Sequence, residues 1–175
     1  MFVKDFADEY GRYRAMGEKA MAQVSDDGLN QVVATDGNSI AMIVRHVSGN
    51  LVSRFTDFLT SDGEKESRDR DGEFADGTFD RGEIDAAWKT GWGVVEHALA
   101  QLTDADLERM ITIRGQALTV HEALCRSVTH SASHVGQIVL LARIVATNTW
   151  NTLSIPKGQS KQYNQNPSLE KAHRR

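Results

Sequence analysis

The chain has 175 residues, 40% hydrophobic and 25% charged, the balance of a single globular domain. Its net charge of −4 gives no electrostatic footprint for nucleic acid, and no apolar run reaches membrane-spanning length. The acidic opening "MFVKDFADEY" does not read as a secretory signal, and the single cysteine, Cys125, cannot close an internal disulfide, which sets the expectation of a cytoplasmic protein.

Both prolines, Pro156 and Pro167, fall near the end, so the chain before them is free to form long helices. Phe6, Tyr10, Tyr13, Ala20 and Val24 recur at helical spacing and predict a first helix over about 2–24. "SDDGLNQ" ends it, with Gly28 as punctuation. Asn38 and Ser39 can each cap a second helix, which runs to about residue 59 on a stripe of Ile40, Ile43, Val47, Leu51, Phe55 and Phe58.

Residues 60–82 are polar, charged and rich in glycine. They lack the apolar content to fold alone and read as a long, solvated crossover connection. A third helix follows over about 83–102, on Ile84, Trp88, Gly91, Val95, Ala98 and Leu102. Thr103 can cap a short turn after it. β-Branched residues around "RGQ" suggest a small hairpin. Thr119 and Glu122 fit a capping box that opens a fourth helix over about 120–147. The expected architecture is therefore all-α, a four-helix bundle occupying residues 1–150, with a polar tail over 151–175.

"SVTHSASHVGQIVLLAR" carries two histidines four apart, His130 and His134. On a helix they share one face, with Ala123, Ser127, Ile138 and Leu141. Two imidazoles so placed can turn their nitrogens towards one metal ion, and the small residues at 123 and 127 leave room above them. The spacing also suits a hydrogen-bonded core pair or a half-exposed pair. A third ligand has to come from elsewhere. His173 lies in the tail, His121 faces nearly away from His130, and His97 falls off its helix's apolar stripe. His46 sits on the flank of the second helix's stripe and shares a face with Asn50, which makes it the best third ligand. Cys125 lies about 140° around the helix from His130, at 100° per residue, and reads as a small core residue. No nucleophile elbow accompanies Ser127, Ser131 and Ser133.

His46, His130 and His134, with "HVGQI" directly after the pair, resemble the DinB/YfiT-like superfamily of metalloenzymes, and within it a bacterial subgroup of unassigned function. "NSIAMIVRHVSGNLVSRFTDFLTSDGE", "RDRDGEF" and "WNTLSIPKGQSKQYN" carry the resemblance over most of the chain. It implies a DinB/YfiT-like bundle with a long crossover and a divalent metal on His46, His130 and His134. Three neutral imidazoles suit zinc or nickel, and also iron or copper. The resemblance further implies a homodimer, a small-molecule substrate, and a low-molecular-weight thiol (bacillithiol, mycothiol or glutathione) as cosubstrate of an S-transferase. A metal-dependent hydrolase, or a non-catalytic metal- or ligand-binding stress-response bundle, fits the same ligands. Asn50 and Gln137 are candidates to touch substrate or brace an imidazole. The tail around 152–163 is expected to fold back near the site.

Overall fold

Each long helix after the first begins where a side-chain oxygen accepts from its free N–H groups. The structure is a computed structural model, describing residues 2–169 except the side chain of Asn148. α1 spans Phe2–Met21, and a short α2 (Asp26–Asn30) folds inside the stretch expected only to break the chain. Ser39 starts α3 (Ile40–Phe55) by accepting from the Met42 N–H at 3.2 Å. Asp80 and Glu83 form a capping box on α4 (Arg81–Ala100), two residues earlier than the apolar stripe alone indicates. The Thr119–Glu122 capping box forms as expected and opens α5 (Val120–Ala146). A single turn, α6 (Ser160–Tyr163), lies in the tail.

β1 (Met110–Ile113) and β2 (Gln116–Thr119) pair antiparallel, with Ile113 opposite Gln116. The two-residue turn between them has positive φ at both Arg114 (55°) and Gly115 (71°), which matches the right-handed twist of the strands. The expected hairpin before the last helix is therefore present, and the architecture is an all-α bundle.

α3 is the central helix. It packs most extensively against α4 and also touches α5, while α1 lies along α5. Ile43, Val47, Leu51, Trp88, Trp92, Leu124, Val135 and Ile138 form the core between them. Gly91 lets α4 approach α3 closely, since a Cβ there would stand 2.8 Å from the Ser48 Cα. Among the described residues no helix is long and apolar enough to cross a membrane. The tail begins against α1, where Gln23 and the Asn151 backbone exchange hydrogen bonds of 2.6 and 3.1 Å.

The crossover connection differs from its expected character. Asp57, with φ of 48°, stops α3 earlier than the stripe predicts. The segment beyond is then fastened down. Ser53 donates to the Gly63 carbonyl at 2.9 Å, and the Gly63 N–H reaches the Thr112 carbonyl of β1 at 2.8 Å. Asp62 accepts from the Arg114 and Gly115 N–H groups, both at 2.8 Å, so the connection holds the hairpin turn.

Gly91→Ala is expected to cost about 1–3 kcal/mol, because the methyl meets backbone rather than a movable side chain. Gly93→Ala, on the same helix with nothing within 4 Å of the new Cβ, is expected to be neutral or to stabilise by up to about 1 kcal/mol through helix propensity. Urea denaturation of the two variants checks the contrast.

Candidate metal centre

His46 projects from α3 and is 4% exposed; His130 and His134 project from α5, one helical turn apart, and are half-buried. The two helices bring the three rings together, with centroids 5.3, 4.8 and 4.6 Å apart. One donor nitrogen from each lies within 4.8 Å of the other two. The histidines selected from the sequence therefore converge, and they are close enough to hold a metal ion.

Local geometry agrees with that use. The Nε2 atoms of His46 and His130 stand 3.3 Å apart. Two nitrogens each about 2.0–2.1 Å from one tetrahedral ion would stand about 3.3 Å apart. His46 Nδ1 lies 2.9 Å from Glu73 Oε2. An ionised carboxylate only accepts, so Nδ1 carries a proton, and in the neutral ring this tautomer leaves the Nε2 lone pair facing the other two rings. This is the carboxylate–histidine pairing that orients metal-ligating imidazoles.

Glu73 is itself buried, and Arg68 holds it through a two-pronged contact. Nε meets Oε1 and a terminal nitrogen meets Oε2, both at 2.8 Å. Burial pushes the Glu73 carboxyl up, but hydrogen bonds from His46 and Arg68 outweigh it and hold the group below the ordinary carboxylate range. Gly49 makes the approach feasible, because a Cβ on α3 there would collide with the Glu73 carboxylate. Phe74 then lies against the His46 ring, with centroids 4.5 Å apart.

His130 and His134 are held neutral. Burial, then the neighbouring His134 and His46, push His130 down to about 4. Burial and His46 lower His134, with Gln137 acting the other way. The buried Nδ1 atoms of both His130 and His134 have no hydrogen-bond partner in the protein. Lone pairs are thus available at neutral pH, as coordination requires.

The three rings open onto a cavity of about 360 Å³. Ala123 and Ser127 line it, so the room expected above the histidine pair exists. Phe55, Phe58 and Phe74 form its apolar wall. Asn50 also lines it and is buried. Gln137 is exposed and is not among the lining residues. None of the described tail residues lines the cavity. His121 and His97 are exposed, as their helical positions indicate, and His173 lies outside the described residues. Cys125 is half-exposed rather than core, with its sulfur 3.7 Å from His121 Nε2, because its side of α5 is only partly covered.

Two charged residues at the centre escaped the sequence reading, which took residues 60–82 for solvated loop. Glu73 and Arg68 come from that segment, with side chains only 10% and 4% exposed. The requirement that a ligating imidazole be braced by a carboxylate is the one signal that points to an acid there.

A helical bundle with three converging histidines is the class of protein that the fold and site define. The chain matches the family described as "Protein of unknown function (DUF1572)" over residues 1–159, and it belongs to that family. No curated protein and no solved structure matches it.

Glu73→Ala and Gly49→Ala are each expected to weaken metal affinity about ten- to a hundredfold, the second by displacing the carboxylate, with helicity retained. Competition against a chelator reads the change. A pH effect also follows. Unfolded histidines take a proton near 6.5 but His130 in the fold only near 4. Acid therefore favours unfolding between those values, and the metal-free protein should lose stability as pH falls from about 6.5 towards 4. Urea midpoints at pH 7.5 and 5 check the sign.

Proposed function

We propose that this chain is a metal-dependent enzyme of the DinB/YfiT-like type, working on a small molecule at a divalent ion bound by His46, His130 and His134. The observation that carries the reading is the convergence of three imidazoles at the floor of an open cavity. A purely structural histidine cluster has no need of a 360 Å³ space in front of it. Zinc or nickel suits the donor set best, with iron or copper as alternatives. The most concrete reaction is thiol-dependent S-transfer, the thiol being of the bacillithiol, mycothiol or glutathione kind. Geometry supports the metal half of this reading, and the family resemblance supports the thiol half.

A divalent ion at this position would supply Lewis acidity, lowering the pKa of a thiol or water in contact with it. The protein's own residues do the rest. His46, His130 and His134 present lone pairs. Glu73 holds the His46 ring in one orientation, and Arg68 helps keep Glu73 ionised. Phe55, Phe58 and Phe74 keep water from one side of the cavity and offer an apolar surface to the substrate. Asn50, buried at the cavity wall, is placed to orient a polar group of that substrate. Gln137 is assigned the outer brace of His134, in keeping with its influence on that ring. A second copy of the chain as partner agrees with Leu140 and Ile144, exposed one turn apart on α5.

His134→Ala is expected to reduce bound metal sharply by elemental analysis, with helicity unchanged by circular dichroism. Reconstituted protein is then assayed with a generic electrophile such as a chlorodinitrobenzene. Turnover that requires both metal and an added thiol is the expected result. Ester turnover without thiol would favour a hydrolase on the same ligands. Stoichiometric metal with no turnover across thiols and esters would favour a non-catalytic metal-binding bundle.

A further inference from the structure

The cavity in front of the histidines is lined by five arginines, Arg54, Arg68, Arg70, Arg114 and Arg126, and by no aspartate or glutamate among the described residues. The chain as a whole has the opposite bias, with 24 acids against 20 lysines and arginines. The five come from three separate parts of the fold: α3, the crossover connection, and the hairpin with the start of α5. Periodicity of a single solvated helix face does not produce that arrangement.

Carboxylates behind the cavity wall neutralise only part of this charge. Arg68 is taken up by Glu73. Arg54 and Arg114 share the single carboxylate of Glu64, at 2.9 and 3.0 Å. Among the described residues Arg70 has only the fully exposed Asp71, 3.8 Å away, as an ion-pair partner, and its guanidinium lies 5.6 Å from the centre of the Phe74 ring. Phe74 in turn lies against His46, so a single ring separates Arg70 from the nearest histidine. Arg126 is exposed on α5, one turn before His130, and makes no ion pair among the described residues. Three arginines are thus bound to acids directly behind them, and Arg70 and Arg126 are left at the mouth. A guanidinium fork matches the oxygens of a carboxylate or phosphate in geometry as well as charge.

We infer that the molecule entering this cavity carries an oxyanion, a carboxylate or a phosphate, held by Arg70 and Arg126, with an apolar body against Phe55, Phe58 and Phe74 and its reacting atom at the histidines. The last clause rests on the metal-centre reading; the anion preference does not. Arg114, at the tip of the hairpin turn whose two N–H groups Asp62 holds, closes the third side of the mouth. The same chemistry excludes neutral apolar compounds of the same size, which would leave the arginines desolvated and unpaired.

Three ligands of matched shape test this by isothermal titration calorimetry: benzoate, phenyl phosphate and neutral benzamide. Each is titrated into metal-free and zinc-loaded protein. One or both anions are expected to bind about tenfold or more tightly than benzamide in the metal-free protein, the better one telling carboxylate from phosphate. Arg70→Gln with Arg126→Gln is expected to lose about tenfold of that affinity while zinc stoichiometry stays unchanged. Both side chains are exposed, so folding should be little affected, and each single variant gives a fallback. Equal binding of benzamide, no anion binding up to roughly 10 mM, or anion binding indifferent to both substitutions overturns the inference. Failure of zinc to load, with the anion preference intact, would overturn the metal-centre reading alone.

Discussion

A buried carboxylate between an arginine and a histidine holds this site in shape. Glu73 is 8% exposed, and a charge so placed costs several kcal/mol unless it is paired and hydrogen-bonded. Arg68 supplies two contacts on one side and His46 a third on the other. Each member needs the other two. Without Arg68 the carboxylate would lose one of the two partners that offset its burial. Without Glu73 the Arg68 guanidinium would be left buried with only Glu64, at 3.7 Å, for company. The crossover connection is therefore ordered by the same three residues that orient the ring at the centre of the site.

That coupling explains why a connection so polar is tied down at several points. A loop of this composition gains little from apolar burial. Here it gains from Ser53 and Thr112, which receive its Gly63, and from the clasp of Asp62 on the hairpin turn. Three backbone N–H groups donate to Asp62 and lower its pKa to about 2, so it stays a full acceptor throughout the physiological range. Small residues make the close approaches. Gly49 clears α3 for Glu73, and Gly91 lets α4 come against α3 behind it. Bringing α4 nearer also supports the face of α3 opposite the histidines, so His46 sits on the best-packed helix of the bundle.

The long helices were legible because each carries its own period, and α3 and α5 also carry caps visible in the sequence. Ile40, Ile43, Val47 and Leu51 repeat at helical spacing behind Ser39, and Thr119 with Glu122 announces α5 three residues apart. The histidine pair was legible for the same reason, since four residues on a helix define a face. His46 needed a choice among separate histidines, and its place on the edge of an apolar stripe beside Asn50 was sufficient. Glu73 and Arg68 lay beyond this kind of reading. They stand in "SRDRDGEF", a run whose charges look solvated, and their partner is 27 residues away for Glu73. Cys125 shows the limit of the helical wheel. The wheel correctly turned it away from His130, but angle alone does not say whether anything covers that side, and little does.

The arginines were hidden by the same dispersal, and they bear on the electrostatics of the centre. Arg68 and Arg54 add to the forces that disfavour a proton on His130. A field that repels a proton repels a metal ion too, so these charges would work against any cation held by the three imidazoles. Glu73 offsets only one of them. What would favour an ion is coordination itself, by three imidazoles that already stand together. The remaining imbalance is positive, with Arg70 and Arg126 the arginines least neutralised, and a ligand bearing negative charge would relieve it. Ion and anion would then each lower the cost of the other, which places the recognition of substrate and the holding of metal in one electrostatic account.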